Sequence, residues 1–251
     1  MESLGKIDFN DIVQNKPLFS VCAVLIVTLY GLNFVLSDCT EKVGLVVANT
    51  LITNTYVWNL VTSCFYEKYL AKAAVDLTLL LLLTKSLPIS SIEQFGLYFL
   101  FSILACTIGT STYCFFAFFT MARESSLINP IYGFSGVLMA ILMFARHTYR
   151  DETVHSAFPK LTYHHLPVVL YLIQLTLYLV FGRLIIADMS FSAISLLFSW
   201  SYLRFYYKHS NSEVLGDKSE DFSFVGMFPE VRTYISCFDR ALFFPGANHH
   251  N

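Results

Sequence analysis

The sequence predicts an all-α polytopic membrane protein: a bundle of six transmembrane helices followed by a short amphipathic cytosolic C-terminal tail. Three observations carry that reading. Of 251 residues, 55% are apolar and only 14% charged, with a mean hydropathy of +0.58, a balance that water-soluble domains do not show. Apolar stretches recur that approach the roughly 20 residues a helix needs to cross the hydrocarbon of a bilayer. Between them lie short clusters of charge, proline and glycine that break helices. The formal net charge of -2, without a run of lysine or arginine, excludes a nucleic-acid surface.

The first qualifying stretch runs from Pro17 to Leu36. It is too long for the apolar core of a signal peptide, acidic Asp8 and Asp11 precede it beside Lys16, and no small-residue cleavage site follows, so it reads as a span and not as a cleaved leader. A polar loop with Asp38, Glu41 and Lys42 leads to an aromatic segment around Trp58, and a second span covers Tyr69 to Leu87, ending before Pro88. The third covers Phe95 to Phe119. Arg123, Glu124 and Pro130 separate it from a short fourth span, Ile131 to Phe144, and a wet loop is expected from Ala145 to His165. Leu166 to Phe181 and Leu184 to Tyr206 complete the set, as a tight hairpin around Arg183. Residues 1–16 then form a cytosolic N-terminal segment, 17–206 the membrane domain and 207–251 the tail.

Orientation follows from the basic residues. One side holds Lys6, Lys16, Lys85, Arg146, Arg150, Lys160, Arg204 and Lys208; the other holds Lys42, Lys68, Lys72, Arg123 and Arg183. The positive-inside rule puts both termini in the cytosol. Phe222 to Phe244 mixes aromatics with Glu230, Arg232, Asp239 and Arg240, too charged to span, and reads as an amphipathic segment lying on the membrane or on a partner. Six cysteines without CxxC or Cys/His spacing indicate neither zinc nor a disulfide framework. Cys39 and Cys64 share one aqueous loop and read as free thiols, with a disulfide left open if that loop is lumenal. No cofactor pattern is present.

Gly133-Phe134-Ser135-Gly136 is the string that could carry chemistry. Small residues let membrane helices approach closely, so one reading is a packing notch. The other makes Ser135 a nucleophile, which needs a base within hydrogen-bond reach.

Here the sequence resembles the rhomboid superfamily. The resemblance rests on Trp58-Asn59-Leu60-Val61-Thr62-Ser63-Cys64-Phe65-Tyr66-Glu67 before the second span, on the Gly-x-Ser-Gly of the fourth, and on Ser195 and Ser199 one turn apart in the last. It implies a rhomboid-like six-helix fold. In active rhomboids the serine pairs with a histidine of the sixth helix, and a histidine and asparagine of the second help to stabilise the oxyanion. The corresponding positions are Asp188, Lys72 and Asp76, all departures, so Gly133, Ser135 and Gly136 would be a vestigial motif. None of the histidines (His147, His155, His164, His165, His209, His249 and His250) is expected inside a span. An aspartate with a pKa near the ordinary value of about 4 takes a hydroxyl proton poorly. A Ser135–Lys72 dyad stays open.

Within that superfamily the sequence is similar to the transmembrane protein 115 family. The carrying strings are Asp188-Met189-Ser190-Phe191, Ser201-Tyr202-Leu203-Arg204-Phe205-Tyr206 and Phe222-Ser223-Phe224-Val225-Gly226-Met227-Phe228-Pro229-Glu230. The resemblance implies a non-catalytic Golgi membrane protein acting in Golgi-to-ER retrograde transport, with the conserved oligomeric Golgi complex as a cytosolic tethering partner. Phe222, Phe224, Phe228, Pro229 and Glu230 are the candidate partner contacts, and membrane lipids, membrane-protein clients and a homo-oligomer are the other associations expected. The derlins, rhomboid-like proteins that bind unstable membrane clients, offer an alternative, and an intramembrane serine protease a further one.

Ionisable groups within spans are functional candidates by default. Lys72 and Asp76, at i and i+4, can pair. Asp188 is expected either hydrated or facing Ser135. Together they are a polar lock joining the second, fourth and sixth helices, a cavity that grips a polar residue of a client helix, or positions wet at the membrane interface. Glu67 is expected to be solvated at the membrane edge, and Trp58, Tyr66 and Tyr69 to be interfacial anchors.

Overall fold

The computed structural model describes residues 17–36, 39–87, 92–122, 124–150, 162–182, 186–208, 215–217, 219 and 222–223. Six long helices organise them: α1 (Pro17–Leu32), α2 (Leu70–Ser86), α3 (Ile92–Met121), α4 (Ser135–Thr148), α5 (Leu166–Phe181) and α6 (Ile186–Phe205). Isolated bridges join Leu45 with Ile131 and Lys208 with Leu215. The Phe95–Met121 part of α3 is long and apolar enough to cross a bilayer by itself, whereas Pro17–Leu32, Ser135–Thr148 and Leu166–Val180 are shorter apolar helices.

Local chemistry sets the helix limits. α2 starts after an extended Tyr69 and stops at an extended Leu87, whose conformation suits the residue before Pro88. α5 opens with proline in its first turn and ends at Gly182, whose φ of +59° takes the chain out of the helix.

The fourth helix differs most from the expectation. It begins four residues later than the apolar run, because Leu45 and Ile131 exchange backbone hydrogen bonds of 2.8 and 2.9 Å and Gly133, at φ +146°, holds the chain out of a helix. It also runs past Phe144, so Ala145 and Arg146 are buried helix residues and not part of a wet loop. Every residue from Ser135 to Arg146 is buried. α4 is the axis of the bundle, packed chiefly on α6 and also on α3, α5 and α2.

Small residues make that axis possible. A Cβ built on Gly136 would stand 2.7 Å from the Cys106 Sγ and 3.2 Å from the Phe191 Cβ, so only glycine lets α3 and α6 come this close. Ser192, Ser195 and Ser199 form a buried seam along α6. The Ser195 hydroxyl donates to the Gly136 carbonyl at 2.6 Å, and the Ser199 and Ser102 hydroxyls meet at 3.3 Å. From α3, the Tyr98 hydroxyl donates to the Ala140 carbonyl at 2.7 Å.

The loop between α1 and α2 folds back on itself. Thr62 donates to the Val43 carbonyl at 2.8 Å, and Trp58 Nε1 to the Lys42 carbonyl at 3.0 Å. Trp58 and Tyr69 keep the exposure expected of interfacial anchors, but Tyr66 is wholly buried, its hydroxyl bonded to Thr40 and Asn33. That tyrosine serves the loop's own core. Cys39 and Cys64 are free and buried, as are Cys22, Cys106 and Cys114.

Beyond α6 the chain returns to the bundle. The amides of Gly216 and Asp217 donate to the Tyr207 and Leu203 carbonyls, and Arg204 donates to the Asp217 carbonyl at 2.6 Å. Phe222 is 3% exposed, its carbonyl held by Trp200 Nε1 at 2.9 Å. Its ring lies 5.3 Å from the Arg146 guanidinium and 5.1 Å from the His147 ring.

Candidate functional site

Three helices begin at the same end of the bundle, and their first residues meet. Lys72 and Asp188 are each the third residue of their helix, α2 and α6, and Ser135 is the first of α4. The spacing in sequence says nothing of this convergence; the packing of α6 and α2 on α4 produces it.

Ser135 Oγ donates to Asp188 Oδ1 at 3.0 Å, with the Asp188 backbone carbonyl at 3.2 Å. The same Oδ1 accepts from Lys72 Nζ at 2.7 Å. Lys72 also reaches Asp76 Oδ2 at 3.6 Å, and it bonds Glu67 Oε1. That Oε1 in turn accepts the Phe134 backbone N–H at 2.8 Å. A Cβ on Gly133 would overlap the Asp188 carboxylate and crowd Lys72, so the glycine opens the room that the ion pair occupies.

One ammonium therefore faces three carboxylates, in a site where Glu67, Asp76 and Asp188 are all buried. Burial pushes the Glu67 carboxyl up to about 8, Lys72 pulling it back and Asp76 and Asp188 adding to the rise. The converging helix N-termini offset part of the negative excess, since the unpaired N–H groups there favour anions.

The arrangement extends the sequence reading and corrects it. Lys72, Asp76, Asp188, Ser135 and Gly133 lie together, while Gly136 faces α3 and α6 and packs. Asp188 faces Ser135. Glu67, expected to be solvated, is wholly buried and links Lys72 to the first turn of α4. Its one sequence signal was position: an acidic residue at the edge of a span, five before a lysine inside it. His147, expected in the loop after the fourth span, lies in the last turn of α4, because that helix extends past Phe144. It stands at the far end, about 18 Å from Ser135 along the axis, and pairs with Asp217 at 3.7 Å.

Of the tail residues proposed as partner contacts, Phe222 is used internally as a buried anchor. Phe224, Phe228, Pro229 and Glu230 lie outside the described residues. No group of His, Cys, Asp and Glu among the described residues has a geometry that would hold a metal ion.

Chemically the site leaves Ser135 without a base among the described residues. A lysine that donates to carboxylates offers no lone pair to the serine proton. The Gly133 amide donates to the Ser63 carbonyl at 3.0 Å and the Phe134 amide to Glu67, so both backbone donors just before Ser135 are already engaged.

An apolar helical bundle with one helix long enough to cross a bilayer and a buried polar cluster at one end is consistent with an integral membrane protein. The chain belongs to the family described as eukaryotic integral membrane protein (DUF1751), whose model matches residues 20–245. It is 26% identical over 185 residues to Rhomboid-like protein 19 of Arabidopsis thaliana, covering 71% of this chain and 58% of that protein. Human Transmembrane protein 115 is 26% identical over 186 residues, 71% of this chain and 50% of that one, and its mouse counterpart 26% over 216 residues, 84% and 59%. The chain thus spans half to three fifths of the length of these curated relatives. No solved structure matches.

Proposed function

We propose that this protein is a non-catalytic rhomboid-like protein of the Golgi membrane. It would cross the bilayer six times with both termini in the cytosol, bind membrane-protein clients through its polar cluster and recruit tethering machinery through its tail, in retrograde transport from Golgi to ER. The engagement of Ser135 with Asp188 carries the non-catalytic part. The hydroxyl donates to a carboxylate that is itself held by Lys72, so among the described residues neither a Ser–His pair nor a Ser–Lys dyad is assembled. The Glu67 carboxyl oxygen occupies the Phe134 amide, a backbone donor beside Ser135 that is then not available to an oxyanion. The resemblance carried by the tail string Phe222 to Glu230 supports the trafficking part.

Two measurements test the reading. A fluorophosphonate probe applied to native membranes should leave Ser135 unlabelled; labelling that disappears in Ser135→Ala would show a working nucleophile. Affinity purification should compare the full chain with one ending at Ser223, a cut that keeps Gly216, Asp217 and Phe222, which dock on the bundle. Loss of co-purifying cytosolic tethering subunits from the shorter chain is expected. If clients co-purify with both and tethering subunits with neither, the protein acts as a derlin-like client binder.

A further inference from the structure

We infer that the polar cluster is a receptor for a basic side chain, the lysine or arginine of a partner transmembrane helix. This rests on the client-binding reading above and adds the sign of the charge it recognises. The argument begins with imbalance. Among the described residues Lys72 is the one cation beside Glu67, Asp76 and Asp188, and its contacts with all three leave two formal negative charges uncompensated there. Charges buried without a partner cost several kcal/mol each, so the site has a standing demand for positive charge.

The carboxylate oxygens show where that demand lies. Glu67 is wholly buried, and its Oε2 has no hydrogen-bond partner. Asp76 is 5% exposed, and its Oδ2 has no hydrogen-bond donor, only the 3.6 Å ion pair with Lys72. The Glu67 and Asp76 carboxyls also face one another, two acceptors that can share a hydrogen only if one of them is protonated. With a proton on Glu67, Asp76 and Asp188 still divide a single ammonium. The remaining deficit is one positive charge, which matches one lysine or arginine.

Access and chemistry narrow the occupant. The Lys72 side chain is 28% exposed against 0% for Glu67, 8% for Asp76 and 9% for Asp188, so a visitor enters past Lys72. A metal ion is disfavoured by the resident ammonium and by the lack of a ligating geometry. A basic residue in a lipid-embedded helix is itself expensive until paired, so both sides gain from the contact. Among the described residues the titratable groups that face the cluster are Glu67 from the loop, Lys72 and Asp76 from α2, Asp188 from α6, and Tyr132, Tyr66 and Tyr69 around the loop.

The test uses the full chain in phosphatidylcholine nanodiscs and a series of fluorescent single-span leucine–alanine peptides. The peptides differ at one position near one end of the span: Lys, Arg, Gln, Glu or Leu. Lysine and arginine peptides should bind about tenfold more tightly than glutamine or leucine ones, the scale of one polar interhelical contact in a bilayer. The glutamate peptide should bind most weakly, and the preference should shrink from pH 8 to pH 5 as Glu67 takes up its proton. Asp76→Asn should reduce the preference while keeping binding of the leucine peptide. Equal binding of Lys, Gln and Glu peptides above leucine would overturn the charge inference and leave client binding standing. Preference for the glutamate peptide would overturn it too and make Lys72 the receptor. Failure of every polar peptide to exceed leucine would overturn both the inference and the client-binding reading.

Discussion

Lys72→Met should destabilise the bundle far more than Asp188→Asn, although each breaks the same 2.7 Å ion pair. The asymmetry follows from counting charges. Without Lys72, three buried carboxylates lose their only cation, and removing one partner of a buried pair costs about 3–5 kcal/mol. Without the Asp188 charge, Lys72 keeps Glu67 and Asp76, the negative excess falls, and the asparagine carbonyl still accepts from Ser135. The loss is then that of weakened hydrogen bonds to charged groups, about 1–2 kcal/mol. For a chain of this size each kcal/mol moves the melting temperature by about 2–4 °C. Differential scanning fluorimetry of purified protein in mild detergent should therefore show a fall of roughly 6–20 °C for Lys72→Met and roughly 2–8 °C for Asp188→Asn. Adding Glu67→Gln to Lys72→Met should recover part of the loss. A fall for Asp188→Asn equal to or larger than that for Lys72→Met would refute the charge-excess argument, as would a double variant less stable than the single one.

Two further outcomes follow from the same geometry. The Glu67 carboxyl rises from an ordinary 4.5 to about 8, so its protonated form is the one the fold favours; its contribution is full below the lower value and is lost as pH climbs through the upper one. Stability should therefore decline between those values, and Glu67→Gln should flatten the profile over that window, read by melting temperature against pH. Phe222→Ala should release the docked tail without unfolding the bundle, because the buried ring anchors only the short stretch after α6. Hydrogen exchange would show faster exchange of the Gly216 and Asp217 amides, with the melting temperature unchanged.

Much of the helix layout was legible because hydrophobic run length is a local property. α2, α3, α5 and α6 fall within three residues of the limits expected from apolar runs and breakers. α4 was misplaced because Ile131 and Tyr132 are apolar yet belong to the extended entrance, held by Leu45 from a distant loop. Arg146 and His147 were read as a wet loop for the converse reason. Their charge marks a surface in sequence, but Phe222 from 75 residues further on covers them. Tyr66 and Glu67 were assigned to the membrane edge by residue type, and their burial depends on Thr40, Asn33 and the start of α4.

The sequence by itself determined the class of protein, the order of its helices, and the presence of lysine and aspartate within them, because these are properties of composition and of short windows. Only the tertiary structure decided what those residues do. Bringing the starts of α2, α4 and α6 together put one lysine among three carboxylates and closed the Ser135 hydroxyl onto Asp188. Coulomb and hydrogen-bond energies depend on separation and burial, and neither is fixed until distant segments have packed.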